Sequence, residues 1–373
     1  MKVDKEKWEK HTLDSICDIQ FGTRIVKKKT EPGSYYVYGG GGATFTTNEY
    51  NREDSIVVSR FALSKECTRF IKGKFFLNDS GLSLSPRKEL LSYSFLKWNT
   101  FALNDKIYDL ARGAAQKNLD MKRFSKLMIS VPSLSVQHSI ARELDSVQAM
   151  IDGYRQQIAD LDALAQSIFL DTFGDPVSNP KGWEMISMGR LGDFKNGLNY
   201  DKGEKGMQLK IIGVGDFQNH KCLNSFDGIA SIEVKSLPKE YLLRNEDIVF
   251  VRSNGNKNLV GRCLEVYPND TPIAFSGFCI RFRKTVDVMN KYLIALLTDK
   301  GFKSAYLLKS NGIGIQNINQ KLLSSLPIPV PPIDLQHHFS AQIESIEKQK
   351  EQLRQQQADA ETLMAERMQY YFA

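Results

Sequence analysis

The sequence predicts an α+β protein: two globular α/β heads separated by two long helices that pair as an antiparallel coiled coil, in the order head–helix–head–helix with pseudo-two-fold symmetry. Three observations predict it. Residues 129–173 and 328–372 align without a gap at an offset of 199, with 13 identities in 45 positions, including Val131/Val330, Pro132/Pro331, Gln137/Gln336, His138/His337 and Phe173/Phe372. Within both copies, apolar or small residues step by fours and threes, the spacing of a coiled-coil seam. Charge alternates as well: the net is +8 over residues 1–130, −4 over 131–173, +6 over 174–330 and −3 over 331–373. Two basic blocks therefore alternate with two acidic helices.

The elements follow in chain order. Residues 1–132 form the first head, with β-rich runs at 55–59 and 75–77, a glycine-rich turn at 39–42 and a late helix at 93–100. Val131-Pro132 forces an extended lead-in, and a helix occupies 133–174. Its seam is Ile140, Leu144, Val147, Ile151, Tyr154, Ile158, Leu161, Ala165 and Ile168, and Gly174-Asp175-Pro176 ends it. Residues 175–331 form the second head, with runs at 247–251 and 278–282 and a late helix at 290–298. The second long helix occupies 332–373, with seam residues Phe339, Ile343, Ile346, Lys350, Leu353, Gln357, Ala360, Met364 and Arg367. Its polar members, Lys350 and Gln357, are the kind that fix register at some cost in stability, or that face a second protein.

The heads echo each other faintly. Trp8 with Phe21-Gly22 matches Trp183 with Asn196-Gly197; the strand ending at Arg60 matches the strand ending at Arg252; the segment 112–119 matches 311–318. The offset grows from 175 through 192 to 199, so the second head carries insertions, which surface loops tolerate.

Several classes of chemistry are excluded by motif. There is no GxxxxGK[ST], no GxSxG and no third glycine after Gly312-Ile313-Gly314. Val330-Pro331-Pro332-Ile333 lacks the Asn/Asp-Pro-Pro-aromatic tetrapeptide of an amino-methyltransferase. The five histidines make no metal-spaced cluster, and the five cysteines make no CxxC pair. With no run of 18 apolar residues and a charged start, the expectation is a cytoplasmic protein that binds neither metal nor membrane.

The loops of the heads carry the binding signal. Basic heads suit a polyanion, because Lys and Arg contacts to phosphate release counterions. Tyr36, Tyr38, Gly40 and Gly41 put aromatics beside a run that lets backbone N–H groups approach a ligand. Arg60 and Arg252 end apolar strands at matching places. Arg can read guanine in bidentate fashion, and Asn or Gln can read adenine, which singles out Asn254 and Asn256 beside Lys257. Arg112, Gln116 and Lys117 in the first head, and Asn311, Gln316 and Asn317 in the second, recur before the long helices. Lys65, Asn199 and Lys202 complete the candidate set. Gln137, His138, Gln336 and His337, at matching helix starts, are candidates for partner contacts, as are Lys350 and Gln357.

In the IxVP lead-in to both helices (Ile129–Gln137 and Ile328–Gln336), the Phe173-Gly174-Asp175-Pro176 exit into a second Trp-bearing head, and the GxxxxN element before each helix, the chain resembles the DNA-specificity subunit of type I restriction–modification systems over essentially its full length. The resemblance implies two target-recognition domains, each reading one half of a bipartite asymmetric site on double-stranded DNA. It implies that the paired helices set the spacer and dock two methyltransferase subunits, and that two motor/nuclease subunits complete the complex. S-adenosylmethionine, ATP and Mg would then be bound by those partners, with no cofactor and no catalysis in this chain. The alternatives are a self-contained DNA-processing enzyme with tandem heads, and a coiled-coil scaffold that binds no DNA.

Overall fold

The computed structural model describes residues 3–87, 89–113, 117–200, 205–217, 222–236, 239–253, 256, 259–307 and 317–373. The chain divides into two compact units, one of residues 1–156 with 354–373 and the other of residues 157–353. Each unit thus holds one head, part of one long helix and part of the other.

In the first unit, a six-stranded sheet runs in the order Cys17–Phe21, Gly81–Pro86, Arg52–Ser59, Thr68–Leu77, Tyr35–Gly39, Gly42–Thr47. The buried run Ile56-Val57-Val58 in its centre explains why the sequence forms a strand here: the β-branched residues are covered on both faces. The helix Tyr93–Ala102 is capped by Ser92, whose Oγ accepts from the Phe95 N–H. Its Phe95 and Leu96 join Trp8, Leu13, Ile140, Leu144 and Tyr371 in one core.

The second unit repeats this plan and then departs from it. Its five-stranded sheet runs Gly192–Asn196, Cys279–Lys284, Asp247–Val251, Cys263–Val266, Cys222–Leu223. The first four strands follow the same order as in the first head, and the register matches: Ser59 pairs with Gly81 and Val251 with Cys279. A separate three-stranded sheet runs Ser231–Val234, Met207–Ile212, Ile273–Phe275. Its late helix, Asn290–Thr298, packs Tyr292, Leu293 and Leu296 with Phe169, Phe173 and Phe339.

The long helices run Leu134–Phe173 and Ile333–Phe372. Gly174 stops the first with φ +82, a left-handed conformation open to glycine at no steric cost. Within the first unit, Glu143 accepts from the Tyr371 hydroxyl at 2.7 Å, and Arg155 pairs with Glu361 at 2.8 Å, so the two segments run antiparallel. Within the second unit, Asp162 pairs with Lys350 at 2.8 Å while Phe169 meets Phe339, again antiparallel. Every expected seam residue of both helices is buried or half-buried.

Two details show how closely the frame is repeated. An antiparallel ribbon ties the start of each head to its end: Glu9–Thr12 pairs with Met128–Val131, and Glu184–Ser187 with Pro327–Val330. Gln137 and Gln336 then clamp each late helix to its long helix. Gln137 Oε1 accepts from the Ser92 N–H at 2.8 Å, while its Nε2 donates to the carbonyls of Leu90 and Pro132. Gln336 Oε1 accepts from the Met289 N–H at 3.0 Å, and its Nε2 donates to the Pro331 carbonyl.

Candidate nucleic-acid interface

The first head gathers its candidates at one end of the sheet because three chain segments are laced together there by backbone hydrogen bonds. The Arg60 N–H donates to the Ser80 carbonyl at 2.8 Å, and the Arg60 carbonyl accepts from the Leu119 N–H at 2.9 Å. The Leu63 N–H donates to the Lys117 carbonyl at 2.9 Å. Arg60 and Lys117, 57 positions apart in sequence, therefore share one surface. The Arg60 guanidinium carbon lies 4.5 Å from the Phe21 ring centroid and 4.6 Å from that of Phe61. Lys117 Nζ sits 4.0 Å over the Tyr108 ring and donates to its hydroxyl at 2.9 Å. Arg112 is exposed and pairs with Asp120 at 2.5 Å. Lys65 is exposed on the same loop as Arg60, its carbonyl held by the Asn104 amide at 2.6 Å.

The glycine-rich turn divides into structural and open parts. Gly40 is buried; its N–H donates to Ser80 Oγ at 3.0 Å, and its carbonyl accepts from Ser59 Oγ at 2.7 Å and Arg69 Nη2 at 2.8 Å. A Cβ at Gly40 would come within 2.8 Å of the Phe61 carbonyl oxygen. The expectation that Gly40 offers its backbone to a ligand is therefore corrected: its polar groups are spent on Ser59, Arg69 and Ser80. Gly41, by contrast, faces open space. Tyr36 is 58% exposed, whereas Tyr38 packs edge-on against Phe75 at 5.4 Å, which makes it part of the head's packing.

The second head repeats the lacing. The Arg252 N–H donates to the Phe278 carbonyl at 2.8 Å, and the Arg252 carbonyl accepts from the Ile318 N–H at 3.0 Å. A bridge between Ser253 and Asn317 brings Asn317 to the same place. Asn199 is exposed, and its Oδ1 occupies space that a Cβ at Gly277 would invade, at 2.0 Å. Asn256 is exposed as well. Gln116, Lys202, Asn254, Lys257, Asn311 and Gln316 lie outside the described residues.

The matched glycines explain the fold of both ends. A Cβ at Gly22 would lie 1.9 Å from the Asn78 carbonyl oxygen, and one at Gly197 would lie 2.0 Å from that of Ser276. Each N–H donates across the sheet, Gly22 to Gly81 and Gly197 to Cys279, both at 3.0 Å. A side chain at either position would force the first strand away from its neighbour.

Two exposed aromatics were missed from sequence. Phe21 is 50% and Phe278 is 63% exposed. Each adjoins a glycine, but an isolated Phe in a β-rich run reads as core, so only the placement reveals them.

The partner candidates sort by burial. His138 and His337 are exposed on their helices. Gln137 and Gln336 are fully buried in the clamps described above, which corrects the expectation that they meet another chain. Lys350 is corrected too: it is 1% exposed, and its ammonium binds Asp162 on the other long helix and Glu347 on its own, both at 2.8 Å. Gln357 is half-buried and donates to Glu361 on its own helix at 2.9 Å.

Among the described residues, no group of three His, Cys, Asp or Glu side chains is placed to hold a metal ion. Burial pushes the thiols of Cys17 and Cys279 up to about 12 and that of Cys67 up to about 11, away from the thiolate a nucleophile needs. No described helix is long and apolar enough to cross a membrane.

The sequence matches the family described as Type I restriction modification DNA specificity domain over residues 5–162 and 180–361, and the chain belongs to that family. It is 25% identical over 256 residues to the StySPI specificity subunit of Salmonella potsdam, covering 65% of this chain and 55% of that one. It is 22% identical over 281 residues to the EcoKI specificity subunit of Escherichia coli, covering 70% and 60%. The chain thus spans less than two thirds of the length of these two relatives. The solved S subunit of the type I restriction–modification system from M. genitalium shares the fold, with a TM-score of 0.60 at 18% identity over 100% of this chain and 98% of that one. A second solved chain, described under complex assembly and conformational transition of the type I R-M system, gives 0.54 at 14% identity over 98% and 97%.

Proposed function

We propose that this chain is the non-catalytic subunit that gives a type I restriction–modification complex its DNA sequence specificity, each head reading one half of a bipartite asymmetric site. The observation that carries the reading is the doubled lacing: the same backbone bonds present Arg60 in one head and Arg252 in the other. Equivalent scaffolds with unlike surface residues suit two half-sites of different sequence. The surfaces are basic, as a duplex requires, while the helices between them are acidic and repel it.

The long helices set the spacer between half-sites and present His138 and His337 to two methyltransferase subunits. A helix of 40 residues is about 60 Å long, more than the roughly 34–36 Å between half-sites one turn apart. S-adenosylmethionine, ATP and Mg belong to the methyltransferase and motor/nuclease partners. Adenine methylation needs an extruded base, and this chain would position the duplex for that step. The setting is the cytoplasm.

The test is DNA binding by the chain assembled with its methyltransferase. The expected result is specific binding that collapses when either half-site is scrambled. Cleavage of DNA by the chain alone with Mg²⁺ would favour a self-contained enzyme, and no binding to any duplex would favour a scaffold.

A further inference from the structure

We propose that the first head reads a guanine through Arg60, and that Phe21 and Phe61 are the residues that position it for this. The inference rests on the DNA-reading function above and deepens it from a surface to a base.

Arg60 differs from its neighbours in how its guanidinium is used. Arg52 spends its nitrogens on Ser83 Oγ and the carbonyls of Asn51 and Phe21; Arg69 spends Nη2 on the carbonyls of Gly40 and Glu66. These two are structural. Arg60 makes only a long bond, Nη1 to the Asp79 carbonyl at 3.4 Å, and has no carboxylate partner among the described residues. Yet it is not loose. Its guanidinium rests against two rings, at 4.5 Å and 4.6 Å, and its backbone is tied on both sides by Ser80 and Leu119. Contact with aromatic rings restrains the fork while leaving most of its N–H donors uncommitted. Phe21 remains half exposed, a large apolar ring kept at the surface beside this one cation.

A planar fork with fixed orientation and free donors matches two acceptors side by side. In the major groove only guanine offers that pair, O6 and N7; adenine replaces one acceptor with a donor. Phosphate also accepts a fork, but it carries no sequence information. Preorganisation by Phe21 and Phe61 lowers the ordering cost of the contact, and that cost falls on any arginine that must be immobilised when DNA arrives.

The experiment uses the full chain assembled with its methyltransferase and a duplex bearing the complex's own methylated site. Each guanine is replaced in turn by 7-deazaguanine, which deletes the N7 acceptor. One guanine, in one half-site, is expected to weaken binding by about 2–12-fold when replaced, as loss of half a bidentate pair should. Against Arg60→Ala, the same replacement should change binding by less than about twofold, since the partner of N7 is gone. Phe21→Leu should blunt the sensitivity, and Phe21→Tyr, which keeps the ring, should restore it. Replacing phosphates by methylphosphonates should leave the Arg60 dependence intact. The proposal is overturned if no guanine in either half-site is sensitive, or if Arg60→Ala retains the full sensitivity. A wild-type complex that binds no duplex overturns the DNA-reading function itself, a separable result.

Discussion

In the first head the guanidinium of the strand-end arginine lies 4.5 Å and 4.6 Å from the ring centroids of Phe21 and Phe61; in the second, the equivalent Arg252 is anchored through its backbone to Phe278, which is 63% exposed. Around both arginines the frame is the same: a glycine that admits no Cβ, a cross-sheet bond at 3.0 Å and a carbonyl that captures the segment before the long helix. The frame is fixed by backbone geometry, which constrains few side chains. In the proposed function the reading ends are side chains on that frame, free to differ, and this separation lets one scaffold carry two specificities.

The largest effects should come from attacking the shared frame. Gly22→Ala and Gly197→Ala each place a methyl group inside a carbonyl's contact distance, so the first strand of the affected head must detach. The expected cost is about 3–5 kcal/mol in either head, read by thermal unfolding of the assembled complex. Similar losses in both would confirm that the heads are equivalent; a tolerated substitution in one would break the equivalence.

Next come the clamps. Gln137→Ala strands the Ser92 N–H and the Leu90 and Pro132 carbonyls, at a cost of about 2–4 kcal/mol. Gln336→Ala strands fewer groups and should cost less. Hydrogen exchange should show early opening of the late helix in the mutated head alone.

Lys350→Leu should be close to neutral, within about 1 kcal/mol, or stabilising. A buried ammonium is replaced by a shorter apolar side chain, while Asp162, half exposed, returns to water. The change removes a polar seam position from the second unit only, so loss of a unique helix register would show that Lys350 acts through specificity of pairing.

The effect smallest at neutral pH is a pH dependence. Cys17 in the first head and Cys279 in the second have folded-state values raised by burial to about 12, above the 9.0 of an unburied thiol. Stability is full below pH 9 and should decline as pH rises toward 12, because the unfolded chain releases these protons first. Substituting either cysteine by Ala should flatten that decline for its own head.

Much of the frame was legible in the sequence because helices carry their period and the repeat carries its offset. The seam emerged residue by residue, as did strand Asp247–Val251 and helix Asn290–Thr298. The proposed reading end was only half legible. Arg60 and Arg252 stood out because they recur, but Phe21 and Phe278 could not be told from core aromatics, and Gly40 looked open because nothing in the sequence marks its bonds to Ser59, Ser80 and Arg69. Buried glutamines and Lys350 read as surface groups for the same reason: their partners on other elements lie 45 to 188 positions away.

The most direct test of one frame carrying two readers is sequencing of methylated sites in cells whose complex carries Arg60→Ala. The account predicts that bases in one half of the site become degenerate while the other half and the spacer stay unchanged. Equal degeneration of both halves, or a changed spacer, would contradict it.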